Sequence, residues 1–131
     1  MIDYLRMIRE FHEKYEHYTS NKPAIPDDKT IDLRYRLIEE ELLETLGALR
    51  DMMNFDHNNK QLIELADGIA DCMVVLLGTA LAFGIPIDEV FAEVHRSNMT
   101  KSFEKNEYGK TIKGDAWEPP KIREILERHM K

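Results

Sequence analysis

Apolar side chains recur at helical intervals through most of this sequence. In the first segment they are spaced mainly three or four residues apart, as on one face of an α-helix. These positions are Tyr4, Leu5, Ile8, Phe11, Tyr15 and Tyr18. Residues 21–28 contain two prolines and several turn-forming residues, so a loop is predicted there. We therefore expect the first helix to end near Thr19.

Two long helices are predicted after this loop. The second helix should start near Asp28 or Thr30, because both residue types cap helix N-termini well. It is rich in Leu, Glu, Arg and Met, which are strong helix formers. Residues 54–59 (NFDHNN) interrupt it, and an asparagine there can cap a third helix over about 60–83. Gly84 is typical of the residue that follows a helix C-terminus.

The last part of the chain is predicted to hold two shorter helices around a basic loop. Pro86 opens a fourth helix at its first turn, and the helix continues through IDEVFAEVHRSNM. Residues 100–118 are lysine-rich and lack helical periodicity, so we expect a basic loop with a short hairpin around Gly109. A short terminal helix is predicted in KIREILERHMK. The elements together predict one all-α domain over residues 1–131, with a four-helix bundle-like core.

Composition narrows the classes of function. The chain has 131 residues and a formal net charge of −7, so binding to DNA or RNA is not expected. Its single cysteine, Cys72, cannot form an intramolecular disulfide, which favours a cytoplasmic protein. Residues 65–83 are long enough to suggest a membrane span. Two aspartates and two glycines in this stretch argue against that interpretation.

The two aspartates are the most informative residues of the chain. Asp67 and Asp71 are the only charges in LADGIADCMVVLLGTALAF, residues 65–83. Burial of an isolated carboxylate is costly, so buried carboxylates are normally paired, protonated or bound to a metal. The preceding helix carries a second acidic group, made of Glu40, Glu41 and Glu44.

The spacing of these acids places them on two helix faces, because residues three or four apart share a face. One line consists of Leu37, Glu41, Glu44 and Ala48. The other consists of Glu64, Asp67, Asp71, Val74 and Gly78. Two antiparallel helices joined by a short loop pack side by side, so the acidic lines can face each other. The carboxylates would then repel unless cations bridged them, and oxygen-only ligands suit Mg²⁺ or Mn²⁺.

Other interpretations stay open at this point. Glu39 and Glu40 alone are typical of a solvated helix face. The two aspartates can instead be satisfied in a buried network by Arg34, Arg36 or a tyrosine hydroxyl. A di-iron carboxylate bundle needs Glu-x-x-His on two helices, and the sequence contains no Glu-x-x-His. The five histidines are scattered, and each is interpreted as a surface or core residue.

The acidic motifs resemble a known family. RLIEEELLE at residues 36–44 contains the EExxE motif of the MazG-like all-α nucleoside triphosphate pyrophosphohydrolases, and residues 64–67 fit its second motif, ExxD. The run ADGIADCMVVLLGTALAFGI is most similar to the branch related to phosphoribosyl-ATP pyrophosphohydrolase, where the helix reads AD-x-x-x-D. On that alignment Asp71 is the final Asp, and Gly68 stands where ExxD has Glu. The resemblance covers about residues 30–121.

The resemblance implies a homodimer or homotetramer that uses Mg²⁺ to cleave a nucleoside triphosphate between its α- and β-phosphates. The implied metal ligands are Glu41, Glu44, Asp67 and Asp71, with Glu64 as an alternative to Asp67. The implied catalytic residues are Glu40, Glu41 and Glu44. The implied substrate-binding residues are Asn98, Lys101, Lys110 and Lys113.

Three functional hypotheses result. The first is hydrolysis of nucleoside triphosphates to a monophosphate and pyrophosphate, in housecleaning of the nucleotide pool. The second is hydrolysis of phosphoribosyl-ATP in histidine synthesis. The third is a non-catalytic helical assembly module, suggested by the interruption of ExxD at Gly68 and by the amphipathic first helix.

Overall fold

Five helices account for most of the computed structural model, which describes residues 1–55 and 57–131. They are α1 (Tyr4–Lys14), α2 (Asp28–Asn54), α3 (Asn59–Ala82), α4 (Ile87–Asn98) and α5 (Ile122–Met130). The chain divides into two compact units, Met1–Gly84 and Ile85–Lys131. The predicted all-α class with a helical, bundle-like core is confirmed.

The end of α1 differs from the prediction. The helix ends at Lys14 rather than near Thr19, because Glu16 takes a left-handed conformation with φ of 56°. The N–H of His17 then donates to the carbonyl of His12 at 2.9 Å, and the N–H of Glu16 to that of Glu13 at 3.4 Å. This pair of bonds is a Schellman motif, which satisfies the last carbonyls of the helix and stops it. Tyr18, which continues the helical spacing of apolar residues in the sequence, therefore lies outside the helix.

The ends of α2 and α3 follow the predicted signals closely. Asp27 caps α2, one residue before the predicted start, by accepting a hydrogen bond from the N–H of Thr30 at 2.9 Å. The predicted break after α2 is confirmed, apart from Asp56, which lies outside the described residues. Asn58 caps α3 and forms a capping box with Gln61. Gly84 follows α3 with φ of 65°, as expected of a C′ glycine.

In the first unit, α3 packs against α2 along its length and also against α1. Two glycines of α3 allow this close approach. A Cβ on Gly68 would lie 2.5 Å from Thr45 Oγ1, and a Cβ on Gly78 would lie 2.6 Å from Arg34 Nη2 and 2.7 Å from His12 Nε2. The glycine that interrupts the ExxD motif therefore has a packing role between α2 and α3.

The second unit is built on α4 and α5, which pack against each other around the buried Ile125. The segment between them contains one antiparallel bridge, Lys105 to Thr111, and a tight turn in which Gly109 has φ of 83°. The expected short hairpin is therefore confirmed. Ser97 Oγ ties the end of α4 to this segment by donating to the carbonyl of Glu118 at 2.7 Å.

The helix α3 is long and apolar enough to cross a membrane by length and composition, with a mean hydropathy of 1.7 over an 18-residue window. It is the one helix of this kind among residues 1–55 and 57–131. The central helix of a soluble bundle passes the same test, and α3 is packed between α1 and α2. That the protein has no membrane partner stays a prediction.

The contact at Gly68 predicts a coupled effect on stability. Gly68→Ala should destabilise the protein by about 1 kcal/mol, because overpacking costs about 1–3 kcal/mol and exceeds the helix preference of Ala over Gly. In a Thr45→Ala background the same change should be neutral or stabilising, because the obstructing Oγ1 is absent. Urea unfolding of the four proteins measures this coupling.

Gly47→Ala is the matched control, because a Cβ at Gly47 in α2 meets nothing within 4 Å. It should stabilise the protein by up to about 1 kcal/mol. An equal cost of Gly68→Ala in both backgrounds would contradict the packing role.

Candidate active site

The carboxylates of α2 and α3 meet around Glu41. Glu41 and Asp71 are both half-buried and line the same pocket. Leu37 and Ala48, which share the helical line of Glu41, are half-buried and buried respectively, so this face of α2 does point inward. The predicted convergence of the two acidic lines is therefore found at this pair.

Glu41 experiences an unfavourable environment for its charge. Burial is the main cause that raises the pKa of Glu41, and repulsion from Asp71, Glu44, Glu40 and Asp67 raises it further, in that order. Its Oε2 atom is buried and has no hydrogen-bond partner among residues 1–55 and 57–131. A buried acceptor without a partner is destabilising, so Glu41 carries a cost that a bound cation would remove.

The other acids surround this centre from more open positions. Glu44, Glu40 and Asp67 are exposed, and all three act electrostatically on Glu41. Glu64 is also exposed, but its carboxylate faces Lys60 at 3.9 Å and is not among the charges that perturb Glu41. Of the two alternative ligands, Asp67 is thus the one electrostatically coupled to the cluster.

The proposed buried network around the aspartates is not found. Arg34 donates instead to the carbonyl of Val75 at 2.7 Å and to Thr79 Oγ1 at 2.9 Å. Arg36 pairs with Asp32 at 2.9 Å on the outer face of α2. Within residues 1–55 and 57–131, no ion pair involves either aspartate of α3. Repulsion within the acidic cluster is therefore left uncompensated by nearby cationic side chains.

The donor set suits a hard divalent cation in its chemistry. Carboxylate oxygens from two helices surround Glu41, and its unpartnered Oε2 is a free ligand atom. Among the described residues, however, no three His, Cys, Asp or Glu side chains already converge on one point. A cation at this cluster would therefore require side-chain rotation.

The pocket beside the acidic cluster also contains residues that the sequence interpretation missed. Its volume is about 340 Å³. Its lining residues are Phe11, His12, His17, Arg34, Leu37, Glu41, Asp71, Val74 and Val75. Two sequence signals point to this set: His12 lies one helical turn after Ile8 on the inner face of α1, and Arg34 starts the line that continues through Leu37 to Glu41.

His12 is the most deeply buried polar side chain of this pocket. It is 2% exposed. Burial, with the charges of Arg34 and His17 as weaker causes, lowers the pKa of His12 to about 4, and a hydrogen bond with the backbone of Tyr18 acts in the opposite direction. The imidazole is therefore neutral at physiological pH.

The predicted substrate-binding residues all lie in the second unit. Asn98 ends α4, and its carbonyl accepts a hydrogen bond from the N–H of Lys101 at 3.2 Å. Lys110 is exposed in the hairpin turn. The Lys113 ammonium lies 4.4 Å from the centre of the Trp117 ring, which is a cation–π contact. The role of these four residues in substrate binding stays a prediction.

Comparison with known proteins identifies the family. The phosphoribosyl-ATP pyrophosphohydrolase family matches residues 8–98, which is more than half of the 131-residue chain. The matched segment includes His12 and the whole acidic cluster, and it ends before Lys101. No curated protein matches the chain significantly. The protein thus belongs to the phosphoribosyl-ATP pyrophosphohydrolase family of the MazG-like all-α superfamily, whose members are hydrolases of acid anhydrides.

Proposed function

We propose that this protein is a Mg²⁺-dependent enzyme that cleaves a nucleoside triphosphate between the α- and β-phosphates, giving a monophosphate and pyrophosphate. The observation that carries the proposal is the buried Oε2 of Glu41, which has no hydrogen-bond partner among residues 1–55 and 57–131 and belongs to a carboxylate repelled by four neighbouring ones. Such an arrangement is stabilised by a divalent cation, and Mg²⁺ commonly joins carboxylates to substrate phosphates. Mn²⁺ satisfies the same ligand chemistry.

The proposed roles of the residues are consistent with their burial. Glu41 and Asp71, the inner pair, would hold the cation together with Glu44 and Asp67. A cation held there would supply Lewis-acid polarisation of the phosphates and would lower the pKa of a water molecule. Glu40, exposed on the same turn of α2, orients that water and accepts its proton. Charge neutralisation and positioning are the main demands of phosphoryl chemistry, so no covalent nucleophile is needed.

Phosphoribosyl-ATP is the second candidate substrate. The family match favours it, because the family takes its name from that reaction. Both candidates share the anhydride, the products' chemistry and the proposed roles of the carboxylates. Phosphoribosyl-ATP carries a phosphoribosyl group that a nucleoside triphosphate lacks. A substrate panel that contains both compounds therefore distinguishes the two proposals.

The proposed activity is tested with a substrate panel. The purified protein with Mg²⁺ should release pyrophosphate from at least one nucleoside triphosphate or from phosphoribosyl-ATP, with the monophosphate identified as the second product. Asp71→Asn should lower kcat/KM by at least about 100-fold, because it removes an inner ligand charge. Absence of pyrophosphate release from the whole panel would favour the non-catalytic assembly module.

Glu39→Gln is the matched control for this experiment. Glu39 is exposed on α2 and accepts a hydrogen bond from Tyr35, outside the acidic cluster. It should retain wild-type activity. Full activity of Asp71→Asn would show that the cluster is not the catalytic centre.

The raised pKa of Glu41 predicts how stability depends on pH and metal. Because the native pKa lies above the usual value of 4.5, the free energy of unfolding of the metal-free protein should fall as pH rises through this range and stay lowered above it. Glu41→Gln removes this penalty. The metal-free variant should therefore melt at a higher temperature than the wild type at pH 7.5.

Mg²⁺ should reverse this order. It should raise the Tm of the wild type by mass action and that of Glu41→Gln much less. Differential scanning calorimetry with and without Mg²⁺ measures both effects, with Glu39→Gln as the unaffected control. An equal response of wild type and Glu41→Gln to Mg²⁺ would place the cation elsewhere.

We also propose that the protein is a homodimer or homotetramer. Many large apolar side chains of α2 and α3 are exposed, more than a soluble monomer normally leaves in contact with water. They include Leu42, Leu43, Leu46, Leu49, Ile63, Ile69, Met73 and Leu76. A second copy of the chain covers such a surface economically, because closed symmetric pairing is the commonest form of assembly.

The mass in solution tests this assembly. Light scattering should give at least twice the chain mass of 15.4 kDa. Leu43→Glu should shift the protein toward the monomer, because a charge on a covered apolar face is costly. Ile25→Glu, at an exposed loop position outside α2 and α3, should leave the mass unchanged. A wild-type monomer would contradict the proposal.

A further inference from the structure

We propose that Arg34 is a positioning residue of the acidic site. Its two hydrogen bonds to α3 fix the axial position of α2 along α3, and they thereby hold Glu41 beside Asp71. The inference rests on the proposed function, because it treats this carboxylate pair as the centre of the cation site. It gives Arg34 an effect on cation affinity that needs no contact with the cation.

Arg34 joins α2 to two points on α3. Its Nε atom donates to Thr79 Oγ1 at 2.9 Å, and its Nη2 atom donates to the carbonyl of Val75 at 2.7 Å. These acceptors lie one helical turn apart, and the Thr79 hydroxyl is itself oriented because it donates to the same carbonyl at 2.7 Å. The donors of a guanidinium form a rigid planar fork. A shift of α2 by one helical turn, about 5.4 Å, would therefore break both bonds.

The other contacts between α2 and α3 fix the axial position less strictly. Within residues 1–55 and 57–131, the one other hydrogen bond between these helices joins Thr45 Oγ1 and Cys72 Sγ at 3.3 Å. Sulfur is a weak hydrogen-bonding partner, and the Thr45 hydroxyl also donates to the carbonyl of Glu41 in its own helix at 2.8 Å. Apolar contacts are non-directional. Arg34 is therefore the main polar determinant of the register between the two helices.

Arg34 occupies space that Gly78 leaves open. A Cβ on Gly78 would lie 2.6 Å from Nη2, and the arginine is 5% exposed. Among the residues that the structure describes, no carboxylate forms an ion pair with Arg34. A buried charge without an opposite charge is costly, so Arg34 is poorly suited to a purely stabilising role. Directional bonds that form in one arrangement of the helices suit a positioning role.

The charge of Arg34 does not account for an effect on the carboxylate pair. The charges that raise the pKa of Glu41 come from four carboxylates, and Arg34 does not belong to the groups that act on it. Arg34 precedes Glu41 by about two helical turns of α2. It therefore acts through the position of the helix. A lysine would keep the charge and lose the planar fork, so it cannot replace this arginine.

The metal-free protein tests the position of Glu41. Glu41→Gln should raise the Tm of the wild type, because it removes the repulsion from Asp71. In an Arg34→Lys background this gain in Tm should fall to less than about half, because the two carboxylates are no longer held together. Arg36→Lys is the matched control, since Arg36 pairs with Asp32 on the outer face of α2, and it should leave the gain unchanged.

Thr79→Val provides the same comparison if Arg34→Lys does not fold. It removes the acceptor of one Arg34 bond and keeps the shape of the side chain, whereas Thr79→Ser keeps the hydroxyl. The gain from Glu41→Gln should be reduced in the Thr79→Val background and retained in the Thr79→Ser background. A purely stabilising role of Arg34 would lower the Tm of each variant and leave this gain intact.

Titration calorimetry with Mg²⁺ alone gives a second measurement. Arg34→Lys should weaken Mg²⁺ binding about tenfold, as is usual for residues that orient metal ligands. Thr79→Val should weaken it about fivefold, as expected for one lost hydrogen bond. Thr79→Ser and Arg36→Lys should stay within about twofold of the wild type, and the double variant Arg34→Lys/Thr79→Val should bind as Arg34→Lys does, because both changes break the same connection.

Two results would overturn the inference. They are an equal gain from Glu41→Gln in the wild type, Arg34→Lys and Thr79→Val backgrounds, and equal Mg²⁺ affinities of Thr79→Val and Thr79→Ser. Failure of the proposed function is a separate result. A reduced gain in Arg34→Lys without Mg²⁺ binding by the wild type would reject the cation site and keep the positioning role. Mg²⁺ binding and pyrophosphate release with an unreduced gain would reject only the positioning role.

Discussion

The close approach of α2 and α3 is the constraint on which the rest of the first unit depends. It is possible because α3 carries Gly68 and Gly78 at the contact, where a Cβ would collide with Thr45 on one side and with Arg34 and His12 on the other. The two bonds of Arg34 to Val75 and Thr79 then hold the helices together. The same approach brings the acidic side chains of both helices around Glu41.

This packing destabilises the charged form of Glu41. Glu41 loses solvation and is repelled by four other carboxylates, and one of its oxygens has no hydrogen-bond partner in the described part of the chain. Cationic side chains that could have neutralised the cluster bond elsewhere, as Arg34 and Arg36 do. Carboxylates with perturbed pKa values are found at functional sites more often than elsewhere, because a bound ligand can supply the compensating positive charge.

The contribution of α1 is local and depends on how the helix ends. Had the helix continued to residue 19, His17 would have followed the helical path away from His12. The left-handed Glu16 instead turns the chain and keeps the two imidazoles 5.2 Å apart beside Phe11. One unusual backbone conformation therefore joins an aromatic wall to the carboxylates of the other two helices.

The sequence by itself determined the helical class, the ends of α2 and α3, and the two acidic lines, because capping residues and three- and four-residue spacings act locally. It also carried the motifs that identify the family. Only the tertiary structure decided that α1 ends at Lys14, that Gly68 packs closely against Thr45, and that Asp67 rather than Glu64 acts on the charge of Glu41. The tertiary structure also decided that His12 is buried in a pocket, because its burial arises from contacts between helices, which no spacing along one helix specifies.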